Sequence, residues 1–202
     1  MCRLDLAIES IRNGRPVVLV DDIDREWEGD IVLSASNVTR ESIAFVMLHA
    51  RGLMCLPCLG GTLDRLEIPP MVENNTDPNQ TPFTVSVDAR HGVTTGMSAD
   101  DKLTTIKLFT DRHTAPDDFT RPGHLFPLRA RDGLLEERRG HTEGSVALML
   151  LAGLAPIAVI CEIISDDGTM TKGKKLQAYA LGHGLHVISI EDVYERTRDK
   201  SV

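Results

Sequence analysis

Apolar residues along the chain follow two spacings, one typical of helices and one typical of strands. Helical spacing predicts helices over residues 4–11, 39–50, 98–109, 142–154 and 174–181, with a last helix from residue 191. Short apolar or alternating runs predict strands over 16–20, 31–35, 53–59, 83–87, 125–130, 157–164 and 187–189. Segments 67–81 and 110–123 are rich in turn residues and are predicted as loops.

Neighbouring predicted strands often lack a helix between them, which differs from the regular alternation of a doubly wound fold. The order of elements therefore predicts an α+β fold, an α/β-type layered sandwich in which one mixed β-sheet is covered by helices. The sequence contains no repeat and no break in composition, so we expect one domain over residues 1–202.

The composition narrows the classes of partner. A formal charge of −8 argues against a nucleic acid or an anionic membrane surface as the main partner. Apolar runs all fall short of the ~20 residues of a membrane span. Asp5 and Glu9 lie where a secretory signal peptide would be apolar. We therefore expect a cytoplasmic protein that binds a small molecule, with no membrane association.

The four cysteines fit reduced thiols better than a disulfide framework. Cys55 and Cys58 form a C-x-x-C pattern, but the surrounding GLMCLPCL reads as a buried strand. We interpret the pair as part of a core strand. A role for Cys55 in an active-site wall, a redox pair and a zinc site remain as alternatives.

The most unusual segment is VDDIDREWEGD at residues 20–30, which concentrates carboxylates between two apolar runs. Its six acidic residues are Asp21, Asp22, Asp24, Glu26, Glu28 and Asp30. A solvated surface loop is the simplest interpretation. If the segment is extended, alternate carboxylates point to one side, and a divalent cation would relieve their repulsion.

Among cation sites, a calcium EF-hand loop starting at Asp24 fails because its twelfth position, which requires Glu, is Ala35. Mg²⁺ needs only one or two protein carboxylates and completes its shell with waters and substrate oxygens. Mn²⁺ also accepts a histidine. The acidic segment therefore favours a sparse magnesium or manganese site.

Three further features carry candidate chemistry. The segment RRGHTEG at residues 138–144 opens an apolar helix, and free N–H groups at a helix start bind phosphate. The alternative is that Thr142 only caps this helix and that both arginines are solvated. His124 follows a Pro-Gly turn, where a lone histidine is more often a hydrogen-bonded structural residue than a base. Glu162 lies within the apolar run VICEII, where a carboxylate is costly unless it is paired or used.

Five segments in this order resemble the 3,4-dihydroxy-2-butanone 4-phosphate synthase family of riboflavin biosynthesis. They are DDIDREWEGD, GVTTGMSADD, RPGHLFPLRA, RRGHTEGSV, and the CEI that precedes DDGTM. The resemblance covers nearly the whole chain and implies a lyase. The family converts D-ribulose 5-phosphate to L-3,4-dihydroxy-2-butanone 4-phosphate and formate by metal-assisted enediolate formation, dehydration, skeletal rearrangement and formate loss.

The resemblance also implies residue roles, a cofactor and an assembly. Glu26 and His141 match the metal ligands, and His124 and Glu162 match the positions essential for catalysis. Substrate contacts are implied for Arg25, Glu26, Asp30, Arg138, Arg139, Gly140, His141 and Thr142, with Thr95, Cys55 and Glu28 as further pocket residues. The cofactor is Mg²⁺, or Mn²⁺, with two ions per site. The family is a homodimer with sites at the interface, so that Glu26 and His141 can come from different subunits.

Three positions depart from the family pattern: Trp27, Lys102 and Ala147 stand where a polar residue, Arg and Asp are expected. Some family members carry a GTP cyclohydrolase II region, which we do not expect in 202 residues. Another divalent-metal phosphosugar isomerase or lyase and a non-catalytic ion-binding homologue remain as alternatives. The intact Glu26 and His141 argue against the second of these.

Overall fold

The computed structural model describes residues 2–22 and 25–199, and these residues form seven strands and seven α-helices. The strands are β1 Val17–Val20, β2 Gly29–Ser34, β3 Cys55–Leu59, β4 Val87–Ala89, β5 Phe119–Ala130, β6 Ala158–Glu162 and β7 Val187–Ser189. The α-helices are α1 Arg3–Arg12, α2 Arg40–His49, α3 Gly60–Arg65, α4 Ala99–Thr110, α5 His141–Ala152, α6 Gly173–Gly182 and α7 Ile190–Asp199. Short 3₁₀ turns cover Pro116–Asp118 and Leu134–Glu136.

All seven strands belong to one sheet with the order β4-β5-β3-β6-β2-β1-β7. The pairs β1–β7 and β3–β5 are parallel, and the remaining pairs are antiparallel. The expected mixed sheet is therefore confirmed. No helix in the described part of the chain is both long and apolar enough to span a membrane.

Side chains that alternate along the strands divide the core between the two faces of this sheet. Val18 and Ile31 pack with α2, α3, α4 and α6 on one face, whereas Val17 and Val32 pack with α1, α5 and α7 on the other. Helix α5 is buried on nearly all sides because it contacts the sheet and both of its neighbouring helices. Helix α5 begins at His141, beside which the candidate site lies.

Two predicted boundaries were wrong. Residues 83–87 were expected to form a strand, but Phe83 and Thr84 make only isolated bridges and β4 begins at Val87. Strand β5 begins at Phe119, inside the predicted loop 110–123. The Pro-Gly signal misled the prediction because Gly123 lies where the antiparallel pairing of β4 and β5 is irregular and the backbones approach closely: a Cβ there would lie 2.0 Å from the Val87 carbonyl carbon. Helix α3 was not predicted.

Candidate active site

The acidic segment forms a compact turn rather than an extended strand. The backbone N–H groups of Arg25 and Trp27 both donate to the Asp22 carbonyl at 3.1 Å, and Trp27 has a φ of 52°. The expectation of alternating carboxylates on an extended segment is therefore wrong for this turn. Asp24 lies outside the described residues. Gly29 and Asp30 belong to strand β2.

Asp21 organises this turn from a buried position. Its Oδ1 accepts the Glu28 backbone N–H at 2.7 Å, and its Oδ2 accepts the Glu26 N–H at 3.2 Å. The Arg25 guanidinium donates to the same Oδ2 at 2.7 Å and to Glu26 Oε2 at 2.6 Å. Sequence reasoning did not single out Asp21; its place at the end of a buried strand was the available signal.

Asp21, Glu26 and His141 form the one group of three or more metal-ligating side chains found in the described residues. Their ligand atoms all lie within 4.8 Å of one another. The chain thus brings the two expected metal ligands together within a single subunit, and a second subunit is not needed to pair them. Two carboxylates and one imidazole are a ligand set that suits Mg²⁺ or Mn²⁺.

The surroundings of His141 favour a neutral imidazole that can bind a ligand. Burial lowers its pKa and favours the neutral imidazole. Its Nε2 has no hydrogen-bond partner and lies 4.0 Å from Asp30 Oδ1, which is buried and also without a partner. Two unsatisfied buried atoms facing each other fit a bound cation or water.

Asp30 and Glu162 extend the same acidic surface across the sheet, since they lie directly opposite each other on β2 and β6. Burial raises the pKa of Asp30 well above its usual value, and the charge of Glu162 adds to this effect. The Leu53 backbone N–H donates to Glu162 Oε2 at 2.8 Å. Glu162 is thus held at the site by the main chain before β3.

The segment from Arg138 to Thr142 forms the start of helix α5. Gly140 is the N-cap and provides no side-chain cap, so the alternative in which Thr142 caps the helix is wrong. Arg138 donates to the buried Glu143 Oε2 at 2.6 Å. Arg139 pairs with Glu191 and lies over the Tyr194 ring at 3.8 Å, on helix α7. Both arginines are thus paired, and neither is simply solvated.

His124 lies on β5, and strand β3 separates it from Glu162 on β6. Strands spaced by ~4.8 Å put the two chain segments about 10 Å apart. The ring Nδ1 of His124 lies 2.7 Å from Asp88 Oδ2, and the Lys102 ammonium donates to the His124 backbone carbonyl at 2.9 Å. Asp88 was not predicted, because it lies 36 residues before its partner in the sequence.

The cavity at His124 differs from the surroundings of Glu26. It has a volume of about 290 Å³ and is lined largely by apolar side chains, among them Leu53, Met97 and Phe126. The His124 side chain is 47% exposed there. Leu53 and Met97 are also exposed large apolar residues. His124 therefore faces an apolar surface, whereas Glu26 and His141 face charged groups.

The less central candidates have mixed positions. Glu28 lies 3.2 Å from the Lys172 ammonium, and Thr95 is exposed in the loop before α4. Cys55 is buried beside the site, and burial and the Glu162 charge raise its pKa. Cys58 points to the other face of the sheet, so the two thiols cannot share a disulfide or a metal ion. The redox and zinc alternatives are therefore wrong.

The three departures have identifiable contacts. Trp27 approaches Gly173, where an added Cβ would lie 3.0 Å from its ring. Lys102 is buried, and its contact with the His124 carbonyl brings it closer to the site than its position in the sequence suggested. Ala147, on α5, is buried in the core that α5 shares with α1 and α7.

Comparisons with known proteins show which family the chain resembles. The family model described as 3,4-dihydroxy-2-butanone 4-phosphate synthase matches residues 5–196. A protein of that name from Vibrio parahaemolyticus is 48% identical over 191 residues, covering 95% of this chain and 88% of its own. The bifunctional riboflavin biosynthesis protein RIBA 1, chloroplastic, of Arabidopsis thaliana is 50% identical over 200 residues, which are 97% of this chain and 37% of that protein.

Solved structures give the same result. A crystal structure of 3,4-dihydroxy-2-butanone 4-phosphate synthase in complex with two magnesium ions superposes with a TM-score of 0.94 at 39% identity, covering 100% of this chain and 99% of the other. A cation-free form of a synthase of the same name superposes with a TM-score of 0.91 at 38% identity, covering 98% of each chain.

Proposed function

The chain belongs to the 3,4-dihydroxy-2-butanone 4-phosphate synthase family, and we propose that its site makes this compound for riboflavin biosynthesis. The substrate is D-ribulose 5-phosphate, and formate is the second product. The observation that carries the proposal is the meeting of Asp21, Glu26 and His141 beside the start of helix α5. A cation site and a phosphate-binding helix start then lie next to each other.

Asp21, Glu26 and His141 are the residues that would hold Mg²⁺, with Mn²⁺ as a substitute and two ions in the complete site. When bound, the cation supplies positive charge that stabilises oxygen atoms as they become negative. The unsatisfied Nε2 of His141 and Oδ1 of Asp30 support this assignment, because both face the same buried space. Asp30 and Arg25 contact the hydroxyl groups of the sugar.

The phosphate of the substrate binds at the start of helix α5. The first backbone N–H groups of a helix have no intrahelical partner and carry partial positive charge. Gly140, as the N-cap, keeps this end free of a side-chain cap. Arg138 adds positive charge beside it, although it is also bound to Glu143.

His124 and Glu162 move protons during the reaction, which begins with removal of a proton from the carbon next to the ketone. Asp88 holds the His124 ring through Nδ1, so Nε2 is directed to the cavity. The Leu53 N–H holds Glu162 in a fixed orientation. We place the active form as a homodimer with sites at the interface, and the exposed apolar residues around His124 support that surface.

The proposal is tested by incubating the protein with ribulose 5-phosphate, with and without Mg²⁺, and measuring formate. We expect formate only with the cation, and we expect His141→Ala to lose the metal-dependent signal. Formate separates this reaction from phosphosugar isomerisation, which releases none. Metal-independent formate, or full activity of His141→Ala, would remove His141 from the ligand set. Light scattering of the same sample tests the dimer.

A further inference from the structure

The loop between α3 and β4 contains a turn that is held by its own side chains. Asn75 donates from its amide to the Thr81 carbonyl at 2.9 Å, and Asp77 Oδ2 accepts the Thr81 N–H at 2.8 Å. Gln80 has a φ of 52° and donates from its backbone N–H to the Asp77 carbonyl at 2.9 Å. These bonds fix the turn at residues 75–81 and present Asn79 at its surface.

Asn79 connects this turn to two parts of the candidate site. Its side-chain amide donates to Glu26 Oε1 at 2.5 Å, and its backbone carbonyl accepts from Arg138 Nε at 3.1 Å. Arg25 occupies the other oxygen of Glu26 at 2.6 Å. The Glu26 carboxylate is therefore held from both sides, once by its own turn and once by a residue 53 positions away.

We propose that Asn79 is a positioning residue that orients Glu26 for the cation and links it to Arg138 at the phosphate-binding helix start. The inference rests on the proposed function, because it takes Glu26 as a cation ligand. The Glu26 side chain is partly exposed and belongs to a short turn, so without Asn79 its carboxylate is held by Arg25 of the same turn and loses its contact with the loop before β4. Ordering it before the ion arrives removes an entropic cost from binding.

The test is a magnesium titration that does not depend on turnover. Trp27 is the single tryptophan of the chain and directly follows Glu26, so its fluorescence reports the state of this turn. We expect Asn79→Ala to weaken Mg²⁺ binding roughly 5- to 10-fold, as for the net loss of one ordinary intramolecular hydrogen bond. Asn74→Ala, in the same loop but outside this pair of bonds, is the matched control and leaves the affinity unchanged.

Turnover supplies a second readout that general damage to the loop would not give. We expect the Mg²⁺ concentration for half-maximal formate production to rise in Asn79→Ala by the same factor. The kcat at saturating Mg²⁺ should stay within about twofold, because excess cation restores the bound geometry. A lower kcat that excess Mg²⁺ does not recover, with unchanged affinity, would overturn the positioning role. Unchanged or tighter Mg²⁺ binding would overturn it as well.

A double-mutant cycle tests the link to Arg138. Arg138→Lys removes the Nε–H that binds the Asn79 carbonyl, so it should weaken Mg²⁺ binding although Arg138 is not a ligand. That effect should disappear in the Asn79→Ala background: the backbone carbonyl that Arg138 binds remains, but the side-chain bond that connects it to Glu26 is missing. Additive effects would refute the link.

Glu26→Gln separates this inference from the proposed function. If Glu26→Gln loses Mg²⁺ binding while Asn79→Ala does not, only the role of Asn79 fails. If Glu26→Gln binds Mg²⁺ normally, the cation site itself is misassigned and the inference falls with it.

Discussion

Asp30 Oδ1 and His141 Nε2 face each other across 4.0 Å, and both atoms are buried without a hydrogen-bond partner. An unpaired buried polar atom costs about 1–3 kcal/mol, so the pair stores an unfavourable interaction that a bound ligand relieves. Burial and neighbouring carboxylates raise the pKa of Asp30, while burial lowers the pKa of His141. Both groups therefore favour their neutral forms in the protein without a cation.

The first prediction concerns stability and pH. Because the pKa of Asp30 is raised in the folded state, its protonated form stabilises the fold at low pH. That contribution is complete below the unfolded pKa of ~3.9 and is lost as pH rises through the folded-state pKa. We expect the melting temperature of the EDTA-treated protein to fall as pH rises through the folded-state pKa of Asp30. Added Mg²⁺ should restore the melting temperature.

Asp30→Asn is the matching variant. It should flatten this pH dependence and raise the melting temperature of the cation-free protein by ~2–4 °C, corresponding to about 1 kcal/mol. Formate production should fall at least tenfold, because Asp30 is a proposed sugar contact. A melting temperature that changes with pH as strongly in Asp30→Asn as in the parent would refute this source of the effect.

The second prediction concerns the loop before α4. Asp101 accepts hydrogen bonds from the Thr94 N–H, the Thr94 hydroxyl and the Gly96 N–H. The bond from the Thr94 backbone is the main cause that lowers the pKa of Asp101 to about 2. The ionised form of Asp101 thus stabilises the fold above pH ~4. This stability is lost as pH falls from ~4 to about 2.

Asp101→Asn should lower the melting temperature at pH 7 by several degrees and reduce its further loss in acid. Asp100→Asn is the control, because Asp100 lies at the same helix start as Asp101 but forms an exposed ion pair, with Arg40 of α2. Equal melting temperatures for the two variants, measured by circular dichroism, would show that the Asp101 bonds do not hold the loop.

The third prediction concerns His124. Asp88 fixes its ring through a 2.7 Å contact, so Asp88→Asn should change the orientation or tautomer of the imidazole. We expect kcat for formate release to fall about 10²-fold, within the usual contribution of acid–base catalysis, while KM changes much less. Asp117→Asn, at an exposed position of the neighbouring 3₁₀ turn, should retain full activity. Parental kcat in Asp88→Asn would exclude the positioning role.

The fourth prediction concerns the thiols. Burial raises the pKa of Cys58 and Cys161 to about 12 and that of Cys55 well above its usual value, so these thiols are not nucleophilic at neutral pH. Cys2 is exposed. A thiol reagent should therefore modify one residue rapidly in the native protein and four after unfolding, and Cys2→Ser should abolish the rapid phase. Rapid modification of Cys2→Ser would reopen the redox interpretation of the C-x-x-C pattern.

The fold was largely predictable because most elements are marked by local apolar runs or apolar spacing; α5 and the strand Cys55–Leu59, for example, are buried along nearly their whole length. The errors fall where the deciding contact is distant in sequence. Gly123 is typical of a turn in the sequence, but in the fold it lies against the backbone of β4, where the β4–β5 pairing is irregular. Local pattern does not reveal such a contact, so the boundaries of β4 and β5 were misplaced.

For the candidate site, the sequence pointed to individual residues but not to the partners that they contact. The resemblance to the synthase family marked Glu26 and His141, whereas Asp21 and Asn79 became visible only through contacts made in the folded chain. The single-subunit meeting of Glu26 and His141 likewise depends on the packing of α5 against the sheet. Spacing along the sequence contains no information on that distance.

The last prediction concerns Arg138 and Arg139, which are adjacent in the sequence but differ in burial and in their partners. Arg138 is 12% exposed and pairs at 2.6 Å with Glu143, whose side chain is fully buried. Arg139 is 50% exposed, and its partners on α7 are Glu191, itself 53% exposed, and the Tyr194 ring. Removing one partner of a buried pair costs ~3–5 kcal/mol, whereas an exposed pair contributes at most about 1 kcal/mol.

We therefore expect Arg138→Met to lower the melting temperature by ~6 °C or more and Arg139→Met by ~4 °C or less. The loss in Arg138→Met arises from the unpaired carboxylate of Glu143, so the double variant Arg138→Met/Glu143→Leu should recover most of it. KM for ribulose 5-phosphate should remain raised in that double variant, because the positive charge beside the phosphate is still missing. Arg139→Met should raise KM less than tenfold, since its guanidinium is held on α7. A larger rise in KM for Arg139→Met than for Arg138→Met would show that Arg139 leaves Tyr194 to bind the phosphate.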